Sequence, residues 1–256
     1  MKKIYLIAMM AVMSLAVSAQ QTLQLSTYNG TKLEKFNGTE CQVTANRYVF
    51  HGWNTLSLPF ALTENELNEI FGADCRLERL VGVESNGRGL VLNFQDCKAE
   101  GVDANVPYIL YFTGENSNKK ISKQALITDA PAQLTFVVDG TGETVSMVGA
   151  QKHLDGAGFY GILAKDNAEA LFTAVPENSG GFYATRCYVK VGSGNTVSLS
   201  TNHLAAGEAT AINGIANTSK RADVYNLSGV KVASKANLSQ LKPGVYVVDG
   251  QKVVVK

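Results

Sequence analysis

Asn29-Gly30, Asn37-Gly38, the SNGRG stretch after Glu84 and Asp139-Gly140 punctuate short runs in which apolar and polar residues alternate, and no long run repeats with a helical period. Asn-Gly and Asp-Gly suit tight turns whose central residues need positive φ, so this spacing demands hairpins. The chain therefore reads as all-β, a β-sandwich of jelly-roll-like or Ig-like topology. Recurring amphipathic helices that could serve as βαβ crossovers are lacking. The 24 glycines and modest charge of the 256-residue chain suit one main domain with a substantial core.

The spacing predicts a meander of TLQLSTY, TKLEKF and TECQVTANRYVF. In GWNTLSLPF, Asn54, Leu56, Leu58 and Phe60 alternate with Trp53, Thr55 and Ser57, as on a strand with two unlike faces. Pro59 ends that ladder, and Thr63 with Glu66 forms a capping box for one short helix closed by Gly72. RLERLVGVESNGRGLVLNFQ is a hairpin, VPYILYF a strand apolar on both faces, and LTFVVDGTGETVSMVG a further hairpin turning near Asp139-Gly140. Residues 20–204 make the sandwich body, the small polar residues 205–221 a linker, and 222–256 a C-terminal module of two hairpins.

Residues 1–19 read as a signal peptide: Lys2 and Lys3 precede an apolar run from Ile4 to Val17, with Val17 and Ala19 at the peptidase subsites and Gln20 next. The run is shorter than the roughly 20 apolar residues that span a bilayer, so a transmembrane helix is not expected in the mature chain. Without Lys2 and Lys3, the 23 basic and 22 acidic residues become 21 and 22. Residues 220–256 hold seven bases and two acids, which leaves the body acidic. No basic, aromatic-rich stripe of the kind nucleic-acid binding needs is evident.

Candidate chemistry is sparse. Gly156, Gly158 and Gly161 match a dinucleotide-binding spacing, but no helix follows them to hold a pyrophosphate, so a glycine-rich turn or strand is expected and no cofactor. Asp139 and Glu143 flank a turn without the further oxygens of a calcium loop. His51, His153 and His203 have no metal-binding or nucleophile-elbow spacing, and neither a metal site nor a catalytic residue is expected. Carboxylates from separate strands could still converge as in a glycosidase. Trp53, Tyr160 and Tyr183 are the aromatics that could stack on a sugar if exposed.

Cys41, Cys75, Cys97 and Cys187 lack CxxC spacing, and export makes disulfides plausible. If the turn in ESNGRG centres on Asn86, Val81 faces Val91 and, by continuation, Cys75 faces Cys97. Opposed residues in an antiparallel ladder lie within disulfide reach, so Cys75–Cys97 is the expected pair. The pairing of Cys41 and Cys187 stays open.

The tail carries Val224-Tyr225-Asn226-Leu227-Ser228-Gly229, the strand Val230-Lys231-Val232, then Leu241-Lys242-Pro243-Gly244-Val245-Tyr246-Val247-Val248 and Lys252-Val253-Val254-Val255-Lys256. These residues resemble, in short form, the C-terminal sorting domain of type IX (Por) secretion substrates. The resemblance implies a small β-module recognised by outer-membrane export machinery, with Tyr225, Leu227, Gly229, Pro243, Gly244, Tyr246, Lys252 and Lys256 as the sorting segment. RYVFHGWNTLSLPF, the short helix to FG, VPYILYF and RCYVKV, across residues 43–192, resemble a domain of unknown function found in surface proteins of the same bacteria. The expected protein is non-enzymatic, secreted or on the outer-membrane cell surface, and adhesive or structural. Its expected partners are the export machinery and a surface glycan or protein ligand. The alternatives are a glycan-binding module of a polysaccharide-handling system and a hydrolase with a carboxylate pair.

Overall fold

The computed structural model of the chain describes residues 21–26, 31–129, 133–163, 167–169, 171–178, 180–192, 194 and 196–207, and the backbone of 222–226, 231–236, 244–248 and 251–255. Strands take up 50% of the chain, and the architecture is all-β and sandwich-like with one short α-helix. The predicted signal segment and Asn29-Gly30 lie outside the described residues, as do 208–221 of the linker. Among the described residues no helix is long and apolar enough to cross a membrane.

A five-stranded sheet forms the middle layer, in the order β15-β5-β4-β6-β3. Its strands are β3 (Gly52–Leu56), β4 (Arg76–Ser85), β5 (Leu90–Asp96), β6 (Tyr108–Phe112) and β15 (Leu199–Leu204). A three-stranded sheet lies on one side, ordered β1-β2-β7, from β1 (Gln21–Leu25), β2 (Glu40–Val49) and β7 (Ser117–Leu126). On the other side lies β12-β11-β14-β9-β8, from β8 (Gln133–Val137), β9 (Thr144–Gly149), β11 (Tyr160–Ile162), β12 (Phe172–Ala174) and β14 (Cys187–Val191). A short ribbon pairs β10 (Leu154–Asp155) with β13 (Gly181–Phe182).

Two apolar clusters fill the spaces between these layers. Leu56, Leu77 and Leu110 of the middle sheet pack with Val43, Ala45 and Ile121 of the three-stranded sheet and with Leu67 and Phe71 of helix α1 (Glu64–Phe71). Trp53, Leu80, Phe94 and Ile109, from the opposite face, pack with Phe136, Met147, Val189 and Phe172. VPYILYF is indeed buried on both faces, with Leu110 in one cluster and Ile109 in the other. The same double covering explains β3: its expected polar face is buried too, since all five residues are inaccessible.

Local signals in several places act as read. The Thr63 Oγ1 accepts the Glu66 amide at 3.3 Å and Glu66 accepts the Thr63 amide at 2.8 Å, which closes the capping box. Gly72 ends the helix, and Val137↔Thr144 closes the β8–β9 hairpin around Gly140.

The expected N-terminal meander does not form. Strand β1 runs parallel to β2, and the predicted strand TKLEKF instead contains a one-turn 3-10 helix at Leu33–Lys35. Parallel pairing sets Leu23 beside Val43 and Leu25 beside Ala45, so all four enter one cluster, and the helical turn buries Leu33 under them. Residues 199–204, given no strand in the sequence reading, form β15 parallel to β5.

The tail folds as a four-stranded antiparallel sheet, β17-β16-β18-β19. It comprises β16 (Ala222–Asn226), β17 (Lys231–Ala236), β18 (Gly244–Val248) and β19 (Gln251–Val255). This is the expected pair of hairpins, joined through β16–β18.

Candidate functional site

One end of the middle sheet gathers the most polar chemistry of the described body. Arg76 and Glu78 are two apart on β4, so they share a face. Register places Tyr111 opposite both Arg76 and Trp53. Glu78 is 1% exposed, and its carboxylate lies 2.5 Å from the Arg76 guanidinium and 2.5 Å from His203 Nδ1. Burial of a carboxylate is tolerated only with such partners.

Aromatic rings hold those partners in place. His203 stacks on Trp53 at 4.8 Å and 16°, while the Arg76 guanidinium lies 5.0 Å from the Trp53 ring centroid and 6.0 Å from that of Tyr111. Tyr111 meets Trp53 edge-on at 5.2 Å and His51 at 6.3 Å. The turn at Asn167–Glu169 bridges the two edge strands: Asn167 donates to the His51 carbonyl, and Thr201 Oγ1 donates to that of Glu169. Beyond Tyr111 an open hollow is lined by His51, Thr113, Gly114, Glu115 and Asn116. His51 Nδ1 sits 3.2 Å from the carbonyls of both Thr113 and Gly114, which makes Nδ1 the protonated nitrogen.

A Glu–His dyad can serve as a general base when a nucleophile or water meets the second imidazole nitrogen. Here His203 donates Nδ1–H to Glu78, and among the described residues it has no hydroxyl or thiol partner. Glu78 is already shared between Arg76 and His203, and the Trp53 stack fixes the imidazole from one face. The arrangement is a polar cluster held by ring contacts on Trp53 and by the shared Glu78 carboxylate.

Of the three aromatics singled out from sequence, two cannot stack on a ligand. Trp53 and Tyr160 are each 4% exposed, Trp53 beneath His203 and Arg76, and Tyr160 in the apolar cluster with its hydroxyl accepting the Val197 amide at 2.7 Å. The reason is the second sheet, which covers the face that a two-layer sandwich would leave open. Tyr183 is 41% exposed and lies 5.1 Å from His153.

The Cys75–Cys97 pairing also fails. All four cysteines are free and buried. The turn closes with Ser85 opposite Leu90, where Asn86 Oδ1 accepts the Arg88 and Gly89 amides, so it is not centred on Asn86. A bulge between Leu80 and Gly82 then shifts the ladder, and the Cys97 amide donates to Leu77 at 2.9 Å. Burial pushes the Cys97 and Cys187 thiols up to about 12 and raises Cys75 and Cys41.

The glycine triplet is structural. A Cβ on Gly161 would fall 2.5 Å from Phe182 Cε1, and one on Gly156 2.6 Å from Val175 Cγ1, so close packing excludes side chains. Gly161 itself lies within strand β11, so the triplet runs into a strand and opens no helix. Asp139 and Glu143 belong to the β8–β9 turn, where the Val138 amide donates to the Glu143 carbonyl at 2.8 Å. Of the sorting segment, Tyr225, Gly244, Tyr246 and Lys252 fall on strands, whereas Leu227, Gly229, Pro243 and Lys256 lie outside the described residues.

The sequence reading missed Arg76, Glu78 and the convergence of His203 on them. One signal was present, a carboxylate at the position two before Leu80 in an apolar strand, which turns it inward. His203 was beyond reach because it arrives through the parallel β15. Searches of protein-family models, curated proteins and solved structures found no match to the chain.

Proposed function

We propose that the protein is an exported, non-enzymatic β-sandwich protein, displayed on or released from the cell surface in an adhesive or structural role, with residues 222–256 as its export and sorting segment. The observation that supports this reading most is the tail itself. The described parts of the stretches resembling a type IX sorting segment include β16, β18 and β19, whose ladders, among the described residues, run to strands of the tail and not to the body strands. Deleting residues 222–256 should strand the protein in the periplasm of its native host while the purified body keeps nearly the same melting temperature. Normal surface delivery of the truncated chain would rule the sorting role out. The non-enzymatic reading predicts no turnover on a panel of glycoside, ester and peptide substrates. Turnover abolished by Glu78→Gln or His203→Gln in a folded variant would make the polar cluster catalytic.

A second reading, a glycan-binding surface module, is favoured by Tyr183. It is an exposed ring whose backbone carbonyl is hydrogen-bonded to the amide of Arg186 at 3.2 Å.

A further inference from the structure

Two guanidiniums, Arg47 and Arg186, meet beside Cys187, and among the described residues no acid balances them. Arg47 stands at an inward position of β2, between Ala45 and Val49, and is 3% exposed. It donates to the Thr55 carbonyl, and its Nε has no hydrogen-bond partner among the described residues. Arg186 donates to the Tyr48 carbonyl at 3.3 Å and lies 5.9 Å from the Phe50 ring centroid. The groups that act on the two charges are burial, each other's neighbourhood, the Cys187 thiol and the Tyr183 phenol; no carboxylate is among them. Burial, together with the charge of Arg186, holds Arg47 well below the usual arginine range.

The contrast with Arg76 decides between the two basic clusters. Arg76 already has the Glu78 carboxylate at 2.5 Å, so an incoming anion gains little there. Arg47 and Arg186 have no such partner, and a dehydrated cation without one is strongly disfavoured until an anion completes it. The backbone is also held in an unfavourable conformation at this point. Thr185, directly before Arg186, is a buried β-branched residue at φ 71°, and its Oγ1 is unpartnered.

The rim of the site is aromatic. Tyr48 and Tyr183 are each 41% exposed, and Tyr48 packs edge-on against Phe50 at 5.1 Å. We propose that Arg186, backed by Arg47 and flanked by Tyr48, Phe50 and Tyr183, is a binding site for an acidic saccharide. The sugar carboxylate takes the guanidinium fork of Arg186, and the ring's C–H face lies against an exposed tyrosine. This inference rests on the glycan-binding reading and names the ligand class within it.

The test is calorimetric titration of the full chain with oligogalacturonate, with a neutral galactose oligomer of equal length, and with acetate. Oligogalacturonate should bind, more weakly as salt rises, and Arg186→Gln and Tyr183→Ala should each weaken it by about tenfold or more at unchanged melting temperature. Tyr183 is exposed, so its variant keeps the test decisive even where Arg186→Gln alters folding. No binding of oligogalacturonate by the folded chain, equal binding by folded Arg186→Gln, or acetate binding as tightly as the oligomer would each overturn the inference. Binding of the neutral oligomer that ignores both substitutions would do so too, while leaving the broader glycan-binding reading standing.

Discussion

Glu78, Thr185 and the four cysteines show how much single residues carry. Arg76→Met should cost more than Glu78→Gln, because it leaves a 1% exposed carboxylate with His203 as its one remaining side-chain partner. A loss of about 2–3 kcal/mol is expected, measured by urea unfolding. Thr185→Gly removes both the left-handed strain at φ 71° and the orphaned hydroxyl, and should stabilise by about 1 kcal/mol, visible as a higher melting temperature. The thiols should resist a disulfide reagent until the chain unfolds, when all four react; prompt reaction of any in the native state would contradict their burial. They also impose an alkaline limit. Above pH 9 the unfolded thiols ionise, whereas Cys97 and Cys187 stay protonated in the fold to about pH 12. The native state then binds more protons, so stability present below pH 9 falls as pH rises towards 12.

At the scale of elements, local chemistry was the most legible part of the chain. The capping box of α1, the β8–β9 turn and the doubly apolar β6 follow from residues within a few positions of one another. Thr63→Ala should cost about 1 kcal/mol of stability in chemical unfolding. Glu66 links that helix to β7. Burial alone would raise its carboxyl, but Lys123 at 2.5 Å and the Thr63 amide and hydroxyl hold it below the usual value of 4.5. With a depressed folded pKa, its contribution is present above pH 4.5 and lost as the pH falls through the lower folded value. Acid titration of Glu66→Gln should therefore remove part of the acid sensitivity, measured as a smaller drop in melting temperature below pH 4.5. Register was the weakest element-level reading. A turn centred after Asn86 and a bulge at β4 leave the ladder two residues out of the expected register, so Cys97 meets Leu77 and not Cys75.

For the whole molecule, the sequence by itself determined the all-β class, the single capped helix, most hairpins and the two-hairpin tail, since each depends on turn residues and period-two alternation over short spans. It named Trp53, Tyr160 and Tyr183 alike as candidate aromatics, and of these the fold leaves Tyr183 exposed. Only the tertiary structure decided the rest. Parallel pairing of β1 with β2 and of β15 with β5 joins segments whose association has no local turn to announce it. A middle sheet covered on both faces buries Trp53 and Tyr160, which a two-layer sandwich could have left on the surface. The arrival of His203 at Glu78, and of Arg186 beside Arg47, depends on strands separated by more than a hundred residues. Alternation along one strand fixes which way a side chain points, but what it meets there is set by which strands the core brings together.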